Sequence, residues 1–198
     1  MNNSLIETLV RLGISRREDL RPYFPRVRDR DDIAVLRCAR SGVIVLERVD
    51  QATVAHYANE QYADAITAAG VTHDAAILDD ARARALLYRH LVRGKRWLDV
   101  GTGPAAVLDA MAPDAHAVAA VEPNDILRRQ AAARGYRIFP AISDVPTAEP
   151  FDVVTLFHVF EHLPEPQQTL GELRDVLAPG GLVLLEVPHA REIGRAHV

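Results

Sequence analysis

Trp97-Leu-Asp-Val-Gly-Thr-Gly-Pro-Ala105 is the stretch that decides the fold. Arg96–Val100 is an apolar run with one acid in it, Asp99, and it leads into two glycines and a helix start. Gly101 and Gly103 lack a Cβ, so the backbone can turn sharply and approach a ligand. Pro104 suits the first turn of a helix, where a missing N–H costs nothing. A second apolar run, Val118–Val121, ends on Glu122. A carboxylate about 20 residues after a glycine turn is how an α/β sheet holds a nucleoside, because it can accept hydrogen bonds from both ribose hydroxyls.

Working outward, the rhythm on the C-terminal side alternates. Strand 96–100 precedes helix 104–111, and strand 118–122 precedes helix 125–134, which Gly135 ends. Strand 136–139 follows, then strand 151–157, the segment His158–Pro166, helix 167–177, a tight turn at Ala178-Pro-Gly-Gly181 and strand 182–188. Near-continuous apolar strands separated by helices predict a parallel sheet covered on both faces. The expected fold is α/β, a doubly wound, mostly parallel, Rossmann-like sheet. An α+β extension precedes it.

Residues 1–94 lack the βαβ rhythm. Leu5, Leu9 and Leu12 give Ser4–Leu12 one apolar face. Ile33–Arg37 and Val43–Glu47 read as a hairpin around Ala39–Gly42, and Val54–Ala69 and Asp74–Val92 as helices. The expected division is an extension or lid over 1–94, a nucleoside-binding domain over 95–190 and a tail over 191–198.

The 198 residues are 48% hydrophobic and 25% charged, enough for a full core. A net charge of −4 argues against non-specific nucleic-acid binding. The single cysteine, Cys38, excludes an internal disulfide and a cysteine-based zinc cage, and fits a reducing compartment. Met1–Gly13 does not read as a signal peptide, and no apolar run nears the roughly 20 residues that span a bilayer. The expected location is the cytoplasm. Lys95 is the only lysine beside many arginines, a composition that fits a GC-rich bacterial genome.

Three motifs in order, Leu98-Asp-Val-Gly-Thr-Gly103 with Glu122, Phe151–Pro166 containing Glu161-His-Leu-Pro164, and Leu177-Ala-Pro-Gly-Gly-Leu-Val-Leu-Leu-Glu186, resemble those of class I S-adenosylmethionine-dependent methyltransferases of the small-molecule type. The resemblance covers about residues 85–190. It implies methyl transfer from S-adenosylmethionine to a small-molecule acceptor, a metabolite or a sugar-linked compound. It also implies further strands beyond the five legible here. Ile193–Val198 matches the translation of a common sequencing-adapter stretch, so the chain is expected to be truncated with a non-native tail.

The resemblance places Gly101, Thr102 and Gly103 under the methionine part of the cofactor, Asp99 on its ammonium, Glu122 on the ribose, and Ala141 and Ile142 beside the adenine. Phe157, or Phe160, Tyr57 and Tyr62, could face the cationic sulfonium. His158 is the candidate general base, with His162 and Glu161 beside it and His189 at the same mouth. His158-x-x-Glu161-His162 is also a zinc-peptidase spacing, but Leu163-Pro164 breaks the helix that such a site needs, so no metal is expected. Cys38–Gly42 resembles half of a zinc knuckle with Ser41 at the partner position, which predicts a metal-free hairpin. Two other readings stay open. Gly101-x-Gly103-x-x-Ala106 also fits a nicotinamide-dinucleotide turn in an oxidoreductase, and the chain could be a non-catalytic methyltransferase-like fragment.

Overall fold

The computed structural model describes residues 3–26, 31–48 and 75–188. The chain divides into two compact units, Met1–Ala52 with Pro164–Pro166, and Thr53–Leu163 with Gln167–Val198. The expected helix over 54–69, Tyr57, Tyr62, His189 and the tail over 191–198 lie outside the described residues.

In the first unit, helix α1 (Ser4–Arg11) is capped by Asn3, whose side chain accepts from the Leu5 N–H and donates to the Leu46 carbonyl at 2.7 Å. Three strands, β1 (Leu20–Phe24), β2 (Val35–Cys38) and β3 (Ile44–Leu46), form an antiparallel sheet in chain order. The expected hairpin is β2–β3. β1 was not anticipated, because Leu20-Arg-Pro-Tyr-Phe24 has no apolar alternation, and it shows buried–exposed alternation in neither direction.

The second unit holds a five-stranded parallel sheet. Its strands are β4 (Arg96–Val100), β5 (Ala117–Val121), β6 (Arg137–Phe139), β7 (Phe151–Phe157) and β8 (Leu177–Glu186), in the order β6-β5-β4-β7-β8. The order reverses at β4, which places the mouth of the site at the carboxyl ends of β4, β5 and β7. Trp97 and Val153 pack with α2 (Ala75–Val92), α3 (Ala106–Met111) and Ala131 of α4 (Asp125–Ala133) on one face. Leu98, Val100, Val154 and Leu156 pack with Leu173 and Val176 of α5 (Pro166–Val176) on the other. Helices therefore cover both faces, the doubly wound arrangement the sequence predicts. Ala81, Ala85 and Val92 of α2 lie in the sheet's own core, so α2 belongs with the sheet and the compact division falls ahead of residue 94.

Two local geometries differ from the sequence reading. Helix α3 starts at Ala106, after Pro104, because Gly103 and Ala105 both take left-handed φ, 55° and 63°, and the chain is still turning at Pro104. Ala105 is fully buried, so its small side chain carries that strain inside the core. Strand β8 starts at Leu177, ahead of the glycines. Leu177 pairs with Phe151 and Leu182 with Val153, so Ala178–Gly181 loop out within one ladder.

That excursion needs Gly181. A Cβ there would stand 2.8 Å from Leu177 Cγ and 2.9 Å from the Ala178 carbonyl oxygen. Gly181→Ala is expected to cost about 1–3 kcal/mol of stability through overpacking. Gly171→Ala, in α5 with open space around it, is expected to be neutral or to stabilise by up to about 1 kcal/mol. Urea midpoints of the two variants check the contrast.

Candidate functional site

The site begins with Glu122, the residue directly after β5, 5% exposed. Its Oε2 accepts from the Gly103 N–H at 2.7 Å and its Oε1 from the Asn124 N–H at 2.8 Å. One carboxylate thus ties the glycine turn after β4 to the start of α4. Asn124 caps that helix, its Oδ1 accepting from the N–H groups of Ile126 and Leu127. Burial pushes the Glu122 carboxyl up, opposed by the Asn124 and Gly103 N–H groups and by the Arg128 guanidinium.

The glycine turn is held close beneath the sheet edge. The N–H groups of Gly101 and Thr102 donate to the Val121 carbonyl at 2.8 and 3.2 Å. Gly101 has φ 74°, and a Cβ on it would stand 2.3 Å from Val159 Cγ2. Only glycine fits there. Thr102 is 8% exposed, and its buried hydroxyl lies by the Asp99 carboxyl, whose charged form it favours.

Asp99 lies 3% exposed within β4, directly beside Thr155 of β7. Thr155 Oγ1 donates to Asp99 Oδ1 at 2.6 Å and accepts from Trp97 Nε1 at 2.9 Å. Burial pushes the Asp99 carboxyl up to about 6, and the nearby Glu122 charge adds to that. The hydroxyls of Thr155 and Thr102 and the Arg84 guanidinium pull the other way.

A second cluster forms where β7 and β8 end. Register sets Phe157 beside Glu186. Glu186 Oε1 accepts from Arg84 Nε and Nη2 at 2.9 and 2.8 Å, and lies 3.3 Å from His158 Nε2. His158 has φ 55°, and its N–H donates to the Glu186 carbonyl. Its Nδ1 is 3.5 Å from Glu161 Oε1, which is also 3.7 Å from His162 Nε2. Burial holds the His162 imidazole below its usual pKa, with Glu161 opposing and His158 adding to the effect. Glu161 and His162 sit in a single 3-10 turn, Phe160–His162, so the helical zinc geometry does not form. Among the described residues, no group of three or more His, Cys, Asp or Glu side chains could hold a metal ion.

The expected cofactor residues Asp99, Gly101, Thr102, Gly103 and Glu122 come together on two adjacent strand ends. Ala141 is exposed, whereas Ile142 is 7% exposed and packs in the core with Val121 and Leu98, leaving little free apolar face. Phe157 stacks on Tyr88, with ring centroids 5.8 Å apart, and carries the Arg84 guanidinium 5.1 Å from its centroid. The chain's own cation therefore uses the face that the sequence reading offers to a sulfonium. Sequence reasoning missed Arg84, Thr155, Trp97 and Asn124. Asn124 carried a signal, since an Asn two residues after a strand-end acid and before an apolar period is a helix cap. Arg84 carried none, because its partner is 102 residues away.

A methyltransferase domain model matches residues 54–197. The chain belongs to the methyltransferase domain family. It is 40% identical over 105 residues to the demethylmenaquinone methyltransferase of Thermus thermophilus, covering 48% of each chain. It is 35% identical over 103 residues to the ubiquinone biosynthesis O-methyltransferase of Caulobacter sp. (strain K31), covering 46% of this chain and 40% of that one. The chain thus spans under half the length of these curated relatives. Among solved structures it is similar to S-adenosylmethionine-bound CalS10, an amino pentose methyltransferase from Micromonospora echinaspora. The TM-score is 0.51 at 26% identity, covering 63% of this chain and 56% of that one.

Asp99 makes a stability prediction with a definite sign. Its folded carboxyl titrates near 6, above the ordinary carboxylate value, so the folded state holds the proton more tightly than the unfolded chain. This contribution is complete below the ordinary carboxylate range and is lost as pH rises through 6. Asp99→Asn keeps an acceptor for Thr155 and removes the buried charge. The variant is expected to exceed the wild type by on the order of 2 kcal/mol at pH 7.5 and to lose that advantage by pH 4. Urea unfolding at the two pH values checks it.

Proposed function

We propose that this chain binds S-adenosylmethionine and transfers its methyl group to a small-molecule acceptor. One observation carries the reading. Glu122, a buried strand-end carboxylate, is hydrogen-bonded to the glycine turn of the adjacent strand, which puts an acid and a bare backbone where a nucleoside's ribose and the chain attached to it can lie side by side. The family match, and relatives and a structural neighbour that are all methyltransferases, support it.

The residues fit a cationic adenosyl cofactor. Asp99 and Glu122 are two buried acids on neighbouring strands; burial disfavours the charge of both, and Glu122 adds to that at Asp99. An ammonium near Asp99 relieves that. The buried Thr102 hydroxyl lies by Asp99 and keeps lone pairs that a ligand donor can use. Glu122 keeps lone pairs for ribose hydroxyls beyond those given to Gly103 and Asn124, since each carboxylate oxygen accepts more than one bond. The bound cofactor supplies an electrophilic methyl carbon on a cationic sulfur.

The chain's contribution to the transfer is chiefly orientation, with the acceptor held about 3 Å from the methyl carbon. His158 projects from the carboxyl end of β7 with its backbone fixed by Glu186 and its ring between Glu186 and Glu161. It takes the acceptor's proton when that acceptor is a hydroxyl or a carbon acid. His162 stands next to it on Glu161, and burial holds its imidazole below its usual pKa, which favours the neutral form. Cofactor specificity rests with Asp99, the turn 101–103 and Glu122, and the adenine side with the exposed Ala141, backed by the core-packed Ile142. Acceptor and cofactor are small molecules, and a cytoplasmic location fits them. No helix among the described residues is long and apolar enough to cross a membrane.

Calorimetry with S-adenosylhomocysteine and with NAD tests the reading. Saturable binding of S-adenosylhomocysteine alone is expected. Glu122→Gln is expected to weaken it about tenfold or more, with the circular dichroism spectrum retained. Binding of NAD without S-adenosylhomocysteine would falsify the reading.

A further inference from the structure

Thr155 lies inside the Phe151–Pro166 motif and Trp97 directly precedes Leu98–Gly103, yet the sequence reading gives neither a role; both are buried and bonded in series to Asp99. With Asp99 ionised, the chemistry of the three groups fixes the direction of every bond. An indole N–H can only donate, so Thr155 Oγ1 must accept from Trp97 Nε1. A hydroxyl owns one hydrogen, and because an ionised carboxylate can only accept, that hydrogen is turned onto Asp99 Oδ1. Asp99 Oδ1 is thereby an obligatory acceptor. Its partner oxygen is the one left to meet a ligand or a proton.

We infer that Thr155, oriented by Trp97, is a positioning residue for cofactor binding: it holds Asp99 as a directed carboxylate that grips the ammonium of the adenosyl cofactor. The inference rests on the reading above that Asp99 takes that ammonium. Three strand positions carry the relay: Trp97 and Asp99 on the same face of β4, and Thr155 directly across from Asp99 on β7. Parallel register alone brings them together. The relay also answers an electrostatic difficulty. Asp99 is faced by the Glu122 charge from the end of β5, which favours its neutral form, and by the Arg84 guanidinium from α2, which favours its charged form. Arg84 is shared with Glu186. The hydroxyls of Thr155 and Thr102 are the remaining groups that stabilise the anion.

The test compares two probes on the full chain. S-adenosylhomocysteine carries the amino-acid end, and 5′-methylthioadenosine lacks it. Thr155→Val keeps the shape and removes the hydroxyl. It is expected to weaken S-adenosylhomocysteine binding about tenfold and 5′-methylthioadenosine binding less than about twofold. The low-pH limb of S-adenosylhomocysteine binding is expected to move to higher pH in this variant, because a stabiliser of the anion is gone. Thr155→Ser restores the hydroxyl and is expected to restore both affinity and pH limb. Trp97→Phe leaves the hydroxyl but frees its hydrogen, and is expected to give the same selectivity at smaller amplitude. Equal losses of both probes in Thr155→Val and Trp97→Phe, or a Thr155→Ser variant that behaves like Thr155→Val, overturns the inference. A wild-type chain that binds 5′-methylthioadenosine but gains nothing from the amino-acid end overturns Asp99 as the ammonium site. A wild-type chain that binds neither probe overturns the functional reading itself.

Discussion

The carboxylate of Glu122 is the interaction on which the rest of the site depends. It is buried, and a buried acid must be bonded or it is expensive. Here the two bonds go to backbone N–H groups of Gly103 and Asn124, which belong to the loops after β4 and β5. Those two loops are neighbours only because β4 and β5 are paired in parallel, Val100 beside Val121. The sheet's register therefore makes the site, and Glu122 locks the register's two loop ends to each other. The Gly101 and Thr102 N–H groups on the Val121 carbonyl complete the same tie from the other direction.

A pattern of acids follows from this architecture. Glu122 directly follows an apolar strand, Glu186 ends one and Asp99 is the penultimate residue of another, so acids gather at the carboxyl edge of the sheet. Glu186 is answered by Arg84, and Asp99 by hydroxyls and by the more distant field of the same arginine. Glu122 has backbone N–H groups and the field of Arg128. A surface built this way favours a ligand that brings positive charge and hydroxyl donors. A dinucleotide, with its phosphates, brings charge of the wrong sign to the side of Asp99.

Much of this was legible in the sequence, and the reasons are local. Glycines after an apolar strand, and an acid at the end of the next, reveal the turn and the carboxylate because each is a backbone or strand-end requirement. The alternation of apolar runs with amphipathic runs reveals the parallel sheet. What stayed hidden depends on pairing. Thr155 is one more residue of an apolar strand until β7 is set beside β4 and it meets Asp99. Arg84 is one more arginine on a helix until α2 lies over the end of β8. Phe157 is a free aromatic ring until Arg84 and Tyr88 claim it. The Ala178–Gly181 excursion reads as a turn before a strand, because sequence does not show that Leu177 already pairs with Phe151.

The same pairing argument bears on His158. A non-glycine residue at φ 55° is strained, and the strain persists only where the surroundings overdetermine it. Here the constraint is the Glu186 carbonyl, which takes the His158 N–H, while the Glu186 and Glu161 side chains flank the ring. Gly101 contributes from below, since Val159, the next residue, occupies the space its missing side chain leaves. The glycine turn and the strained histidine are thus opposite sides of one packing problem. A side chain at 101 pushes Val159 away and moves His158 with it, so the glycine turn and His158 are mechanically joined through the Val159 side chain.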